Sequence, residues 1–461
     1  MSGFQFSFTP KTVPQINTQY RRIVTKIPVP ESIEILQDLN KYESISMHGQ
    51  LPVVWDRADD FQVYDAWGNQ WIDFTSTIFV ANAGHGNPRI VKSLQEVLDK
   101  PLLHTYTYAS KERADYLKYL IDHTPVQFEK AFLVSAGTEA TEAALKLMRL
   151  YGQKSGKKRP GVICFEGNWH GRTMGAQMMG GNWTQKEWIG YLDPNIYHLP
   201  FPYPWREEAV ANPKAYFQRT VADLIRKYNI NADTDLCGFM IETFQGWGAI
   251  FYPSEYIQEI AEFANQHRIL ITFDEMQSGF GRTGKLFGYM HYGVEPDLLC
   301  CGKGAGSSLP LSMVLGRREI MDLPEIGSMS STHSANPMAC AAGKANLQAL
   351  LEDGIIKKSI PLGELFHEKL QAIQGKYPDY LRYVFGKGMV AALLFYDHAG
   401  NPLPDLSYAV CEIAMQKGLL VVCTGRESVK LAPPLSISEE ALLEGLETLD
   451  EAIGEALEVR P

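Results

Sequence analysis

Six short apolar runs punctuate the middle of the chain: KAFLVS (130–135), GVICFE (161–166), LCGFMIE (236–242), ILITFDE (269–275), DLLCCG (297–302) and LSMVLG (311–316). They are too uniformly apolar for strands with one wet face, which predicts strands covered on both sides. Helical segments alternate with them. PSEYIQEIAEFANQHR (253–268) carries Ile257, Ile260, Ala261 and Ala264 on one stripe, with Pro253 and Ser254 as start signals. This alternation predicts βα units and an α/β domain whose mostly parallel sheet is flanked by helices.

The flanks read differently. A polar, Pro-punctuated arm leads into PESIEILQDLNKYES (30–44), which has the pattern of an amphipathic helix. VVWDRADDFQVYDAWGNQWIDF (53–74) has short β-rich runs broken by turn residues. NPMACAAGKANLQALLEDG (336–354) reads as a helix capped by Gly354, and SEEALLEGLETLDEAIGEAL (438–457) as a final helix. The expected organisation is an arm over 1–45, the N-terminal part of a small domain over 46–104, a large domain over 105–335 and a C-terminal small domain over 336–461.

Composition narrows the class. The 461 residues exceed the usual size of one domain, and the net charge of -10 argues against nucleic acid or an anionic membrane as partner. No run of eighteen apolar residues occurs, and the N-terminus lacks an apolar leader core, so a cytoplasmic protein is expected. The seven cysteines form no CxxC pair and show no zinc spacing, which reads as reduced thiols and no metal site. Small molecules are the expected partners.

Ligands of open α/β sheets bind beyond the carboxyl ends of the strands, so the residues after each run carry the chemistry. After KAFLVS comes AGTEATEAALKLMRL, where the Gly137 and Thr138 amides at a helix start suit a phosphate. After GVICFE come Trp169 and His170; after GFMIE comes TFQGWG; after ILITF comes DEMQSGFGRTG, led by Asp274; after DLLCCG comes Lys303. Each has an ordinary explanation taken singly: a common helix start, a core aromatic, a satisfied polar histidine, or a salt bridge from Asp274 to Lys303 or Arg282. Lys303 among glycines reads either as a point charge for a phosphate or as a nucleophilic amine. Five such clusters at one sheet edge fit one ligand. Pyridoxal 5'-phosphate (PLP) needs a lysine for its aldehyde, a carboxylate for its ring nitrogen, a helix start for its phosphate and an aromatic face for its ring. On that reading Lys303 is the Schiff-base lysine.

GNQWIDF with GHGNPRI, SAGTEATEAALKLMR, WHGRT, ETFQG, the long DEMQSGFGRTGKLFGYMHYGVEPDLLCCGKGAGSSLPLSMVLG, STHSANPMACAA and LAPPLSISEEAL occur in this order from about residue 50 to near the C-terminus. In these motifs the chain resembles the class-III PLP-dependent aminotransferases, which include ornithine, 4-aminobutyrate and acetylornithine aminotransferases. The resemblance implies a fold-type I transferase: a large PLP domain plus a smaller α+β domain built from both chain ends. It implies that Lys303 and Asp274 are catalytic, with Asp274 on the pyridinium nitrogen and Gln277 on the ring's 3-oxygen. Ala136, Gly137 and Thr138 would surround the phosphate, Trp169, His170 and Glu242 would stand about the ring, and Thr332 would reach the phosphate from the neighbouring subunit of a homodimer.

Two positions depart from the family pattern. QGWGA puts Trp247 where many members have glutamate, and KLAPPL puts Lys430 where they have the arginine that grips a substrate carboxylate. In relatives that take both an ω-amine and glutamate, those two residues pair as a switch. Trp247 cannot form the ion pair, although Lys430 could meet its ring face. The expected activity is ping-pong transfer of an amino group from an amine or amino acid donor to a keto or aldehyde acceptor. The alternatives are an aminomutase or racemase of the same family, or a non-covalent phosphate or nucleotide binder. Against the last, Lys303 is followed by Gly304 and no GxxxxGK[ST] occurs.

Overall fold

The computed structural model describes residues 4–307 and 309–459. The chain divides into two compact units, one of Met1–Asn87, Trp247–Ala249 and Gly354–Pro461 and one of Pro88–Gly246 and Ile250–Asp353.

The second unit is built on seven strands: β1 (Lys130–Val134), β2 (Gly161–Phe165), β3 (Ile196–Leu199), β4 (Leu236–Glu242), β5 (Leu270–Asp274), β6 (Leu298–Cys301) and β7 (Ser312–Gly316). Their order across the sheet is β1-β7-β6-β5-β4-β2-β3. β7 runs antiparallel to both neighbours, and the other pairings are parallel. All six apolar runs are strands, and every residue of β2, β4, β5, β6 and β7 is buried. β3 was not expected from the pattern: only its second and fourth residues are buried, as an edge strand requires. Helix α1 (Gly137–Lys154) covers the sheet with Ala140, Ala144, Leu147 and Met148, which join Val162, Met240, Leu298 and Val314 in one core.

Helix α2 (Ser254–His267) buries Ile257, Ile260 and Ala264 of the expected stripe, while Ala261 is half-buried. The boundaries expected at 104/105 and 335/336 fall inside this unit. The helix Pro88–Leu98 packs on the helix Pro337–Leu351, which holds both segments against the large sheet's unit. Gly354 does not cap that helix, which ends at Leu351; with φ +72 it instead starts the helix Ile355–Lys376.

The first unit joins the chain ends through a parallel pairing, Leu419 with Ile72 and Leu420 with Asp73. The hairpin region forms strands Arg57–Asp59, Gln62–Tyr64 and Gln70–Asp73, and the first helix spans Ile33–Tyr42. A separate antiparallel sheet contains Leu381–Lys387, Val390–Phe395, Ser428–Leu431 and Val422–Cys423. Trp71 anchors the unit: its ring is fully buried and its Nε1 donates to Met415 O at 2.8 Å.

Candidate active site

Three neighbouring strands end together. Asp274 stands in register with Glu242 on one side and Cys300 on the other. Beyond β6, Lys303 opens a single helical turn, Lys303–Ala305, with φ +44. A non-glycine residue in that region carries backbone strain, which the surrounding fold must hold in place.

Asp274 finds its partner in the loop after β2. Its Oδ2 lies 2.9 Å from Nδ1 of His170, and the two side chains are 3% and 0% exposed. The contact assigns the ring proton to Nδ1. Nε2 of His170 is buried with no hydrogen-bond partner among the described residues. Asp274 Oδ1 accepts the Met276 amide at 3.1 Å, so each carboxylate oxygen has one donor fixing it. The sequence alternative placed Asp274 in a salt bridge with Lys303 or Arg282; the close contact is instead to histidine. Glu242 accepts two backbone N–H groups, the Trp169 amide at 3.0 Å and the Gly246 amide at 3.2 Å.

These residues line one cavity of about 170 Å³, whose wall includes Lys303, Asp274, His170, Trp169, Glu242 and Gln277. Gly137 and Thr138 also face it, at the start of α1, where the first amides have no carbonyl inside the helix to bond. The Ala136 amide is occupied, since it donates to Glu139 Oε2 at 2.8 Å, and Ala136 is outside the wall. Burial pushes the Lys303 amine below the usual lysine range, against the pull of Asp274 and Glu242. Trp169 is half-buried, with the Arg172 guanidinium 4.6 Å from its ring centre.

Some of the wall was not anticipated. Met276 sits between two glycines: a Cβ on Gly137 would come within 2.8 Å of its sulfur, and one on Gly302 within 2.6 Å. A side chain at either position would have to displace the Met276 thioether, and at Gly302 it would also meet Ser312 Oγ at 2.5 Å. Glu275, buried beside Asp274, organises the next loop by accepting from Thr243 Oγ1, Ser278 Oγ and the Gly288 and Tyr289 amides.

Thr332, Trp247 and Lys430 are not among the residues of that wall. Thr332 is exposed in a turn, and its carbonyl lies 2.8 Å from His104 Nε2. Trp247 and Lys430 belong to the first unit. There Lys430 is 2% exposed, with Nζ 4.2 Å from the Phe79 ring centre. The cation over Trp247 is Arg426, at 3.8 Å. Arg426, from the bend before that strand, stands over the Trp247 ring, the face that the sequence reading offered to Lys430.

A family model described as aminotransferase class-III matches residues 45–453. The chain belongs to the class-III aminotransferases. It is 32% identical over 451 residues to a 4-aminobutyrate aminotransferase of Mycobacterium leprae, covering 95% of this chain and 99% of that protein. It is 29% identical to an alanine/serine racemase of Pyrococcus horikoshii, covering 99% and 98%. Among solved structures, an amine transaminase from an uncultivated Pseudomonas species, in its PLP-bound form, superposes with a TM-score of 0.79 at 25% identity, over 87% of this chain and 95% of that one. The fold is fold type I, and the enzyme is a PLP-dependent aminotransferase. The residues present suit that cofactor: a buried amine held below its usual pKa, a fixed carboxylate, a helix start and an aromatic face share one cavity.

Proposed function

We propose that Lys303 holds PLP covalently, that Asp274 pairs with its ring nitrogen, and that the enzyme's amino donor is bulkier than a simple α,ω-diamino acid. The observation that carries the first two roles is the shared cavity in which Lys303 and Asp274 stand on adjacent strand ends. When bound, the cofactor supplies an electrophilic aldehyde and an electron-withdrawing ring. Asp274, with His170 fixing Oδ2 and the Met276 amide fixing Oδ1, presents a carboxylate whose orientation is set before any ligand arrives. The low-pKa amine of Lys303 is suited to take a proton from the substrate carbon and return one, since a neutral amine is the base. Gly137 and Thr138 offer amides to the phosphate, Trp169 a ring face and Gln277 a hydrogen bond to the 3-oxygen.

The substrate reading rests on the first unit. With Trp247 stacked on Arg426 and Lys430 over Phe79, positions 247 and 430 hold no carboxylate–arginine switch. An indole adds apolar surface on which a ring or long chain packs, which favours a bulkier amine or an amino sugar as one substrate. The acceptor is a keto or aldehyde compound. We further infer a homodimer in which Thr332 reaches the partner's phosphate, consistent with its exposure. A cytoplasmic location agrees with seven free cysteines, since disulfides are rare in that compartment. No helix among the described residues is long and apolar enough to cross a membrane.

The test is spectroscopic. A panel of amines and amino acids is added to the holoenzyme while the cofactor absorbance is followed, and true donors bleach it without an acceptor present. Efficient use of ornithine or 4-aminobutyrate with 2-oxoglutarate, equal to any other pair, overturns the substrate reading. The Pyrococcus relative motivates a second reading, racemisation, which appears as loss of optical activity in one amino acid with no acceptor consumed.

A further inference from the structure

The turn at residues 331–334 is fastened at both ends. The Ser334 amide donates to the Ser331 carbonyl at 3.2 Å, so Thr332 and His333 form the tip, and both are exposed while Ser334 is buried. Ser331 Oγ donates to Glu139 Oε1 at 3.2 Å, and Ser334 Oγ donates to Ser331 Oγ. With the Ser334 proton so used, the 2.8 Å contact between Ser135 Oγ and Ser334 Oγ has Ser135 as its donor. Three hydroxyl protons therefore run one way, to one carboxylate. Such a chain polarises itself, and its last bond gains from the charge it meets.

Glu139 ties this chain to the phosphate end of the cavity. It is the third residue of α1, and its Oε2 accepts the Ser135 and Ala136 amides, both at 2.8 Å. Those two amides are thereby taken up, whereas the next two residues, Gly137 and Thr138, face the cavity. At the tip, the Thr332 carbonyl lies 2.8 Å from His104 Nε2, which donates to it. None of these bonds uses the Thr332 side chain.

We propose that Glu139, Ser331 and Ser334 are positioning residues for the cofactor phosphate: they lock the Thr332 tip to the helix start that receives the phosphate of the same subunit. Given that Thr332 serves the phosphate of the neighbouring subunit, the reading inferred above on which this rests, each helix start fixes where its own subunit's threonine is delivered. The two cofactor sites of the dimer then share one hydrogen-bonded frame.

The experiment strips the cofactor from the enzyme and titrates it back, following tryptophan fluorescence, with PLP in one arm and pyridoxal, which lacks the phosphate, in the other. Ser331→Ala should weaken PLP binding about tenfold, the loss expected when one hydrogen bond to a charged phosphate is misplaced, and should leave pyridoxal binding unchanged. Ser331→Thr keeps the hydroxyl and should restore PLP binding. Thr332→Ala should weaken PLP at least as much, and adding Ser331→Ala to it should change the affinity by less than about twofold, because no threonine is left to misplace. Ser334→Ala breaks the same chain one hydroxyl away and repeats the test should Ser331→Ala fold poorly. If Thr332→Ala binds PLP as the wild type does, the reading of Thr332 is wrong and the positioning role falls with it. If Thr332→Ala weakens PLP but Ser331→Ala does not, or the two losses add in full, or pyridoxal weakens equally, the positioning role alone is overturned.

Discussion

Glu275 follows the Asp274 strand and is fully buried, so its replacement by glutamine tests how the loop carrying Gln277 is held. One carboxylate oxygen accepts Thr243 Oγ1 and the Tyr289 amide, both at 2.6 Å; the other accepts Ser278 Oγ at 2.6 Å and the Gly288 amide at 2.8 Å. Each oxygen thus faces one hydroxyl and one backbone N–H. Glu275→Gln is nearly isosteric, yet in either flip its NH₂ group faces one such pair. The hydroxyl can rotate and accept, but the backbone N–H cannot, and a buried unsatisfied donor costs about 1–3 kcal/mol. The other bonds lose their charge assistance, which roughly halves each. Against this, a neutral amide is easier to bury than a carboxylate, whose pKa burial pushes upward here while the four donors pull it down. The net expectation is a loss of about 2–4 kcal/mol. Equilibrium urea unfolding of the cofactor-free enzyme measures it, and cofactor affinity should weaken in parallel because Gln277 lies two residues on. If Glu275→Gln unfolds within about 0.5 kcal/mol of the wild type, the four-donor account of this loop is wrong.

Four further outcomes are expected. Lys303→Gly should unfold about 1–2 kcal/mol later than Lys303→Ala without cofactor, because only glycine relaxes the φ of +44, and borohydride reduction should label neither variant at this position. Mixing Lys303→Ala with Thr332→Ala chains, each inactive alone, should restore part of the activity through one intact hybrid site; no recovery after verified subunit exchange counts against a shared site. Lys430→Ala should weaken a carboxylate-bearing substrate by about 1–3 kcal/mol in KM terms and leave cofactor binding unchanged. Lys186 is buried with its amine lowered from 10.5 to about 8, chiefly by desolvation, so between those values the unfolded chain holds the extra proton and stability rises with pH. The rise is at most roughly 3 kcal/mol, and Lys186→Met should abolish it in urea midpoints measured across that range.

The sheet was legible because its inner strands are buried on both faces, and burial on both faces writes itself as an unbroken apolar run. β3 was not, since an edge strand of four residues with two of them inward is indistinguishable from a loop in a single sequence. The cavity wall was legible for a related reason. Residues that follow an inner strand of an open sheet are forced to the same edge, so Asp274, Glu242 and Lys303 converge by topology alone.

What topology does not fix is pairing between loops. His170 and Asp274 lie 104 positions apart in the chain, and nothing local in WHGRT distinguishes a histidine facing a carboxylate from one facing solvent. The same limit explains Trp247. Strand periodicity places Lys430 on one face of Ser428–Leu431, but which ring that face meets depends on the turn at residues 76–79, where Phe79 and three residues before it take positive φ. Four consecutive left-handed residues without a glycine are disfavoured, so local propensity predicts some other path for this segment. The cation–aromatic partners at 79, 247, 426 and 430 follow from that turn and from the short loop before the strand, so the surroundings of the residues proposed to meet substrate are encoded less locally than the cavity wall. Strand ends and helix starts have positions that the sheet dictates; the side chains proposed to choose the substrate sit beside a segment whose backbone departs from what the sequence alone favours.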